Sequence, residues 1–410
     1  MKNEYHIVVL TTNNHKDIVK NKIGDRLNNF HVISPSLKNN YENYIKLWHE
    51  YIKTKHEINR FNNPSSFTRE ISKNPNAKPL AIIIMKNQEI FSLVRARLNK
   101  KPSSYLNTFL NIPTLSMNTL HIDHSCIQCE KNEIIYSILD KILNIFLETR
   151  ICDCIDIRYI NKESDIFIHL DNYFKKRFYS LTRKWNRWQT LLIDKETNQP
   201  IKLYKSKKRN KLKNDDKKLE RFFDNDVFIK YYKTPEELDE FIQLADQINK
   251  KTYHKKLGTG VDINNRLLIT YLREICHDGI FLGFILFGKN LPIAYGLGDI
   301  TPKTFRFSMM GHDPEYSNIY PGAYSTRKAM EKLAAEGVMF FDFGWGDSIL
   351  KQKLSTHCLV DVDIQILAKR IKPFIHYIST NILISSENFL RHHLLKFDNG
   401  KMIRKLLRRI

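Results

Sequence analysis

The chain has 410 residues, of which 42% are hydrophobic and 27% charged, a balance that excludes a disordered polypeptide. That length exceeds one compact core of ordinary size, so two domains are expected. A formal net charge of +22 points to an anionic partner: a phosphate-bearing ligand, RNA, an acidic carrier protein or an anionic membrane surface.

The opening, MKNEYHIVVLTTNN, puts an acidic residue ahead of a short apolar run and reads as a first strand rather than a signal peptide. Residues 43–58 have helical periodicity, and residues 80–98, LAIIIMKNQEIFSLVRARL, read as two strands joined by a turn at 86–88. A helix over 133–147 and the strand ICDCIDIRYI follow. Cys126-x-x-Cys129 and Cys152-x-Cys154 would give four thiolates for zinc, yet the second spacing is tighter than usual and strand alternation explains it. Structural thiols and no metal are the expectation.

Residues 202–223, KLYKSKKRNKLKNDDKKLERFF, form a basic helix with Leu212, Leu219 and Phe223 as a thin apolar stripe. It is either a solvated connector or an anion-binding element. Helical segments at 235–248 and 264–277 precede a second hairpin, IFLGFILFGKNLPIAYGLG, at 280–298 with its turn at 288–290. The recurrence of hairpin, helix and strand predicts a tandem duplication of one α/β unit, with mixed central sheets flanked by helices. The apolar run 364–383 is broken by Lys369, Arg370, Lys372 and Pro373, so it is not read as a membrane span. The end, KMIRKLLRRI, is a basic amphipathic tail that either rests on anionic lipid or covers the domain before it. The expected layout is an N-terminal domain at 1–200, a linking helix at 201–224, a C-terminal domain at 225–363 and a tail at 364–410. The expected location is cytoplasmic, with peripheral contact at the inner face of the membrane.

Residues 311–351 carry the chemistry. After the strand FRFSMM come Asp313-Pro314 and Tyr320-Pro321-Gly322, a helix ended by Gly337, and the strand VMFFDF. A helix entered through a glycine offers backbone N–H groups and a favourable dipole to an anion, and Arg327 and Lys328 add cations one turn in. Asp342 lies inside an apolar strand and so needs a partner or a purpose. Gly344 and Gly346 let a backbone approach a ligand at the strand end, while Asp347 and Lys351 either pair at i,i+4 or project into the cleft.

The pattern D-P-E-Y-x-x-x-x-P-G, then E-G-V-x-x-F-D-F-G-x-G-D-x-x-x-K, resembles the GNAT-like acyltransferases of the cellulose-biosynthesis acetyltransferase (CelD-like) family, relatives of the Fem-type aminoacyl transferases. The resemblance covers about residues 60–355 and is strongest over 205–351. It implies tandem GNAT-like domains, the first degenerate, and transfer of an acyl group from acyl-CoA to an amine or hydroxyl, with a sugar or polysaccharide precursor as acceptor. Tyr320, Gly322, Ala323 and Ser325 match the family's pantetheine-diphosphate loop, and Asp342, Gly344, Gly346, Asp347 and Lys351 match its signature. Trp345 stands where the family often carries a basic residue, which implies an apolar acceptor pocket.

Direct attack on a thioester needs a base, an oxyanion donor and an acid for the thiolate. Asp342 or Asp347 is a base if burial raises its pKa, with His312 a second candidate; Lys351 stabilises negative charge; Tyr324 or Tyr295 protonates the thiolate. The alternatives are a Fem-type transfer from aminoacyl-tRNA, with the basic helix gripping RNA, and a catalytically inactive basic scaffold at membrane or nucleic acid.

Overall fold

A computed structural model describes residues 5–27, 29–54, 62–73, 78–102, 115–123, 126–194, 196–252, 262–301 and 303–394. The chain divides into two compact units, one holding residues 1–55, 61–185 and 360–410 and the other residues 186–359. Each is a mixed α/β layer in which helices flank β-strands.

The first unit contains β1 (His6–Thr11), α1 (Asn13–Ile23), β2 (Phe30–Ile33), α2 (Lys38–Thr54), α3 (Pro64–Lys73) and the hairpin β3 (Pro79–Lys86) and β4 (Glu89–Pro102). It continues through β5 (Ser116–Ile122), β6 (Ile127–Cys129), α4 (Glu133–Glu148), β7 (Cys154–Asn161) and α5 (Asp165–Lys175) to the start of β8 (Tyr179–Leu191). β3 is buried on both faces from Pro79 to Met85, which its unbroken apolar sequence requires. α4 turns Ile135, Leu139, Ile142, Leu143 and Phe146 inward at helical spacing.

The second unit takes the end of β8, then α6 (Ser206–Phe222), β9 (Val227–Tyr232), α7 (Pro235–Lys251), α8 (Arg266–His277), β10 (Phe281–Gly288), β11 (Leu291–Ile300) and β12 (Thr304–His312). A short 3-10 turn leads to α9 (Pro321–Ala335), β13 (Phe340–Trp345), α10 (Ile349–Leu354) and β14 (His357–Leu367), and α11 (Ile371–Leu394) ends the described chain in the first unit.

The duplication is legible strand by strand. Within the first unit the strand order is β2-β1-β3-β4-β5-β7-β14, and within the second it is β9-β10-β11-β12-β13-β8. In each, a hairpin closed by two left-handed residues, Asn87-Gln88 or Lys289-Asn290, leads to a parallel pair, β5 with β7 or β12 with β13. The units are not contiguous stretches of sequence. The chain leaves the first within β8, after Trp185, and returns within β14, after Leu359, so each unit pairs a strand from the other half of the sequence: Phe340↔Leu191 in one, Leu367↔Cys154 in the other. α6, read from sequence as a linker, lies within the second unit, and residues 364–394 lie within the first. The tail 401–410 falls outside the described residues.

Cys126, Cys152 and Cys154 are core residues, and burial pushes their thiols up, Cys126 to about 12. Among the described residues no group of three or more His, Cys, Asp or Glu could hold a metal, and no helix is long and apolar enough to cross a membrane.

Candidate active site

The second unit's parallel pair opens where its hydrogen bonding stops. β12 and β13 are in register at Thr304↔Phe340, Phe305↔Phe341 and Arg306↔Asp342 only, although β12 runs on to His312. Beyond Asp342 the register slips and β13 follows β8 instead, with Gly344↔Trp188 and Trp345↔Arg187. Gly344 and Gly346 make that bend at φ 71° and 83°, in the left-handed region where a side chain is strained. Two parallel strands therefore part at their C-terminal ends, the place where α/β sheets bind ligands.

Asp342 fixes one wall. It is fully buried, accepts Arg187 Nε at 3.0 Å and Nη2 at 2.5 Å, accepts the Gly344 N–H at 2.8 Å, and lies 4.0 Å from Arg306 Nε. Burial alone would raise its pKa, but the charge and hydrogen bonds of Arg187, with Arg306 and the Gly344 N–H, win and hold it below the ordinary carboxylate range. The condition attached to Asp342 as a base, a raised pKa, is thus reversed; the residue is an anchor between β13 and β8.

Asp347, Lys351 and Trp345 gather at the bend. Asp347 is exposed and accepts Trp188 Nε1 at 2.9 Å and Asn186 Nδ2 at 3.2 Å. Lys351 does not pair with it at i,i+4; its Nζ donates to the Trp345 carbonyl at 2.6 Å. Burial lowers the Lys351 pKa, against the opposing pull of Asp342 and Asp347. The Arg187 guanidinium lies 5.8 Å from the Trp345 ring centroid.

The other wall is β12 and the entry to α9. Tyr320 caps α9 in the left-handed conformation, is about half exposed, and gives the helix no side-chain acceptor; the first turn carries no acid. The helix's own cap and first turn thus offer its first N–H groups and the positive end of the dipole no side-chain anion. His312, the last residue of β12 rather than a loop residue, is half-buried with Nε2 3.2 Å from Ser317 Oγ, and burial lowers its pKa. A Cβ on Gly322 would meet Met310 Cε at 2.6 Å and His312 Nδ1 at 3.6 Å, so this glycine serves close packing of α9 on β12.

Several expected ligand contacts are turned inward instead. Arg327 is buried and pairs with Asp216 of α6. Ser325 Oγ donates to the Gly322 carbonyl at 3.1 Å inside the helix. Tyr324 donates to Glu220 Oε1 at 3.2 Å, and Tyr295 to Asn249 Oδ1 at 3.2 Å within the core. Burial, with Glu220 beside Tyr324 and Asp246 beside Tyr295, raises both phenols, so neither is an acid ready for a thiolate. Ala323 and Lys328 keep partial exposure, and Lys328 Nζ pairs with Glu331 at 3.1 Å. Sequence reasoning missed Asn186, Arg187, Trp188 and Arg306. Alternating Arg183, Trp185 and Arg187 was the available signal; the carboxylates that Arg187 and Trp188 contact lie more than 150 residues downstream, beyond any local pattern.

Residues 206–352 match the family model of the acetyltransferase (GNAT) domain, and that stretch is a GNAT-type domain. FemX has a similar fold, with a TM-score of 0.52 at 12% identity over 75% of this chain and 93% of its own. A conserved protein of unknown function from Bacteroides thetaiotaomicron gives 0.47 at 14% identity over 71% and 86% of the two chains. A tandem GNAT protein from the clavulanic acid biosynthesis pathway gives 0.42 at 9% identity over 90% and 100%. No curated protein matches the sequence.

Proposed function

We propose that the second unit is an acyltransferase that moves an acyl group from an acyl-CoA thioester to an amine or hydroxyl acceptor, of which a sugar or polysaccharide precursor is one class. The carrying observation is the parting of β12 and β13 beside a helix entry whose own cap and first turn carry no acid. In this reading the unpaired edge of β12 beyond Arg306 hydrogen-bonds the pantetheine arm, and the entry of α9 at Tyr320–Ala323 takes the diphosphate.

His312, kept neutral by its lowered pKa, takes the proton from the attacking amine or hydroxyl. The new C–N or C–O bond forms as the C–S bond breaks, and the thiolate leaves. Lys351, held by the Trp345 carbonyl, faces the negative charge that develops on the carbonyl oxygen, and Trp345 and Asp347 line the acceptor side. The test is thiol release from acetyl-CoA in the presence of candidate amine and sugar acceptors. Lys351→Ala should lower the rate by about 100-fold or more; acceptor-dependent release at the wild-type rate in that variant would remove Lys351 from the mechanism.

A second reading keeps the opening but takes the acyl group from aminoacyl-tRNA. It is favoured by α6, which turns Asp216 and Glu220 inward and leaves Lys207, Lys211, Lys213 and Lys217 exposed. It requires RNA binding that weakens steeply with salt.

A further inference from the structure

α11 is built inside out for a helix in water. Its inner side buries His376 and Thr380, which hydrogen-bond around Gln365 of β14 (His376 Nε2 to Gln365 Oε1, 3.3 Å) beside Tyr377 and Ile384 on a small cluster of Met117, Leu181 and Leu367. Its outer side exposes Ile371, Phe374, Ile375, Ile378 and Ile382 at successive helical turns, Ile371 at 81% and Ile382 at 60%. Single exposed apolar residues need no explanation, but a continuous stripe does. From Pro373 to Ser386 the helix has no Lys, Arg, Asp or Glu, in a chain that is 27% charged. Those 14 residues span about 21 Å at 1.5 Å per residue.

Charge decides what covers the stripe. Lys369 and Lys372 stand exposed at its start, and the sequence from 391 to 410 adds seven Lys or Arg against one Asp. A second copy of this chain would bring the same positive flanks into apposition, whereas an anionic bilayer offers an apolar interior under a negative rim. We propose that the outer face of α11 is an in-plane attachment site for an anionic membrane surface, with Ile371, Phe374, Ile375, Ile378 and Ile382 entering the acyl boundary and Lys369 and Lys372 resting among the headgroups. The proposal is independent of the acyl-transfer reading.

The test is flotation of the full-length protein with vesicles of phosphatidylcholine alone and of phosphatidylcholine mixed with phosphatidylglycerol. The expected result is binding to the mixed vesicles, reduced about tenfold or more by Ile375→Glu with Ile382→Glu, at an unchanged thermal midpoint. Should that double variant lose stability, Ile371→Glu, at the most exposed position of the stripe, makes the same test. Vesicle binding lost on Arg404→Glu with Lys405→Glu but indifferent to the isoleucine changes would overturn the assignment to α11. So would absence of vesicle binding together with a dimer that the isoleucine changes dissociate, which would make the stripe a self-docking face.

Discussion

The two units solve the same structural problem and diverge where chemistry would occur. Each buries one aspartate on the second strand of its parallel pair: Asp156, contacting His121 at 3.1 Å and Arg158 at 2.7 Å, and Asp342, contacting Arg187 at 2.5 Å and Arg306 at 4.0 Å. Burial opposes ionisation at both sites, and the cationic partners hold both below the ordinary carboxylate range. A buried carboxylate that recurs in both halves is therefore a device of the fold.

The differences lie in what surrounds it. α4 is N-capped by Asn132, whose Oδ1 accepts the Ile134 N–H at 2.9 Å, and it begins with Glu133; α9 has neither a side-chain cap nor a first-turn acid. Only two of the 14 glycines, Gly24 and Gly400, fall in the first unit's sequence. Its bend uses Tyr159 at φ 53° where the second unit uses Gly344 at 71°. An anion-ready helix end, a glycine-lined bend and Lys351 thus occur together in one half only, which localises the proposed chemistry there.

The largest expected effect separates the two histidines. His312→Ala should lower acyl transfer by about 100- to 10,000-fold, whereas His121→Ala should leave the rate of the folded protein unchanged. Because the His312 pKa is lowered from 6.5 and the neutral ring is the base, the wild-type rate should rise with pH through a value below 6.5 and be flat at neutrality. A profile still rising above pH 7 would assign the base elsewhere.

Next comes stability, where the units should behave alike. Asp342→Ala and Asp156→Ala should each cost roughly 3–5 kcal/mol, since each removes the fully buried carboxylate of an ion pair. Both carboxyls titrate below 3.8 when folded, so their stabilisation is complete above that pH and is lost as pH falls through the folded values. Denaturant melts at neutral and acidic pH check this; a small cost for Asp342→Ala at neutral pH would break the parallel.

The smallest effect concerns the cap. Asn132→Ala should cost about 1 kcal/mol and leave donor affinity untouched, since the proposed donor site is the entry of α9 in the second unit.

Elements whose signals are local were legible in the sequence: both hairpins, α4, α7, the basic helix and the glycine-bearing strand at Asp342 follow from periodicity and turn residues. Long-range pairings were not. Nothing near residue 187 announces Asp342, 155 positions away, and nothing near β8 or β14 announces that they cross between units. Arg327, Tyr295 and Tyr324 read as site residues because composition gives a side chain's chemistry but not the partner it turns toward. Likewise the helical spacing of Phe374, Ile375, Ile378 and Ile382 was legible in the sequence, but not that this face of α11 would lie exposed.

The central claim is that the opening between β12 and β13, with the entry of α9, binds an acyl-CoA. Calorimetric titration of nucleic-acid-free protein with CoA and acetyl-CoA tests it most directly, with Tyr320→Asp as the informative variant because it places at the second unit's helix entry the kind of acceptor that closes the first. Saturable binding that is weakened in Tyr320→Asp and retained in Asn132→Ala is the predicted result. No binding by the folded protein, or binding indifferent to Tyr320→Asp, would contradict it.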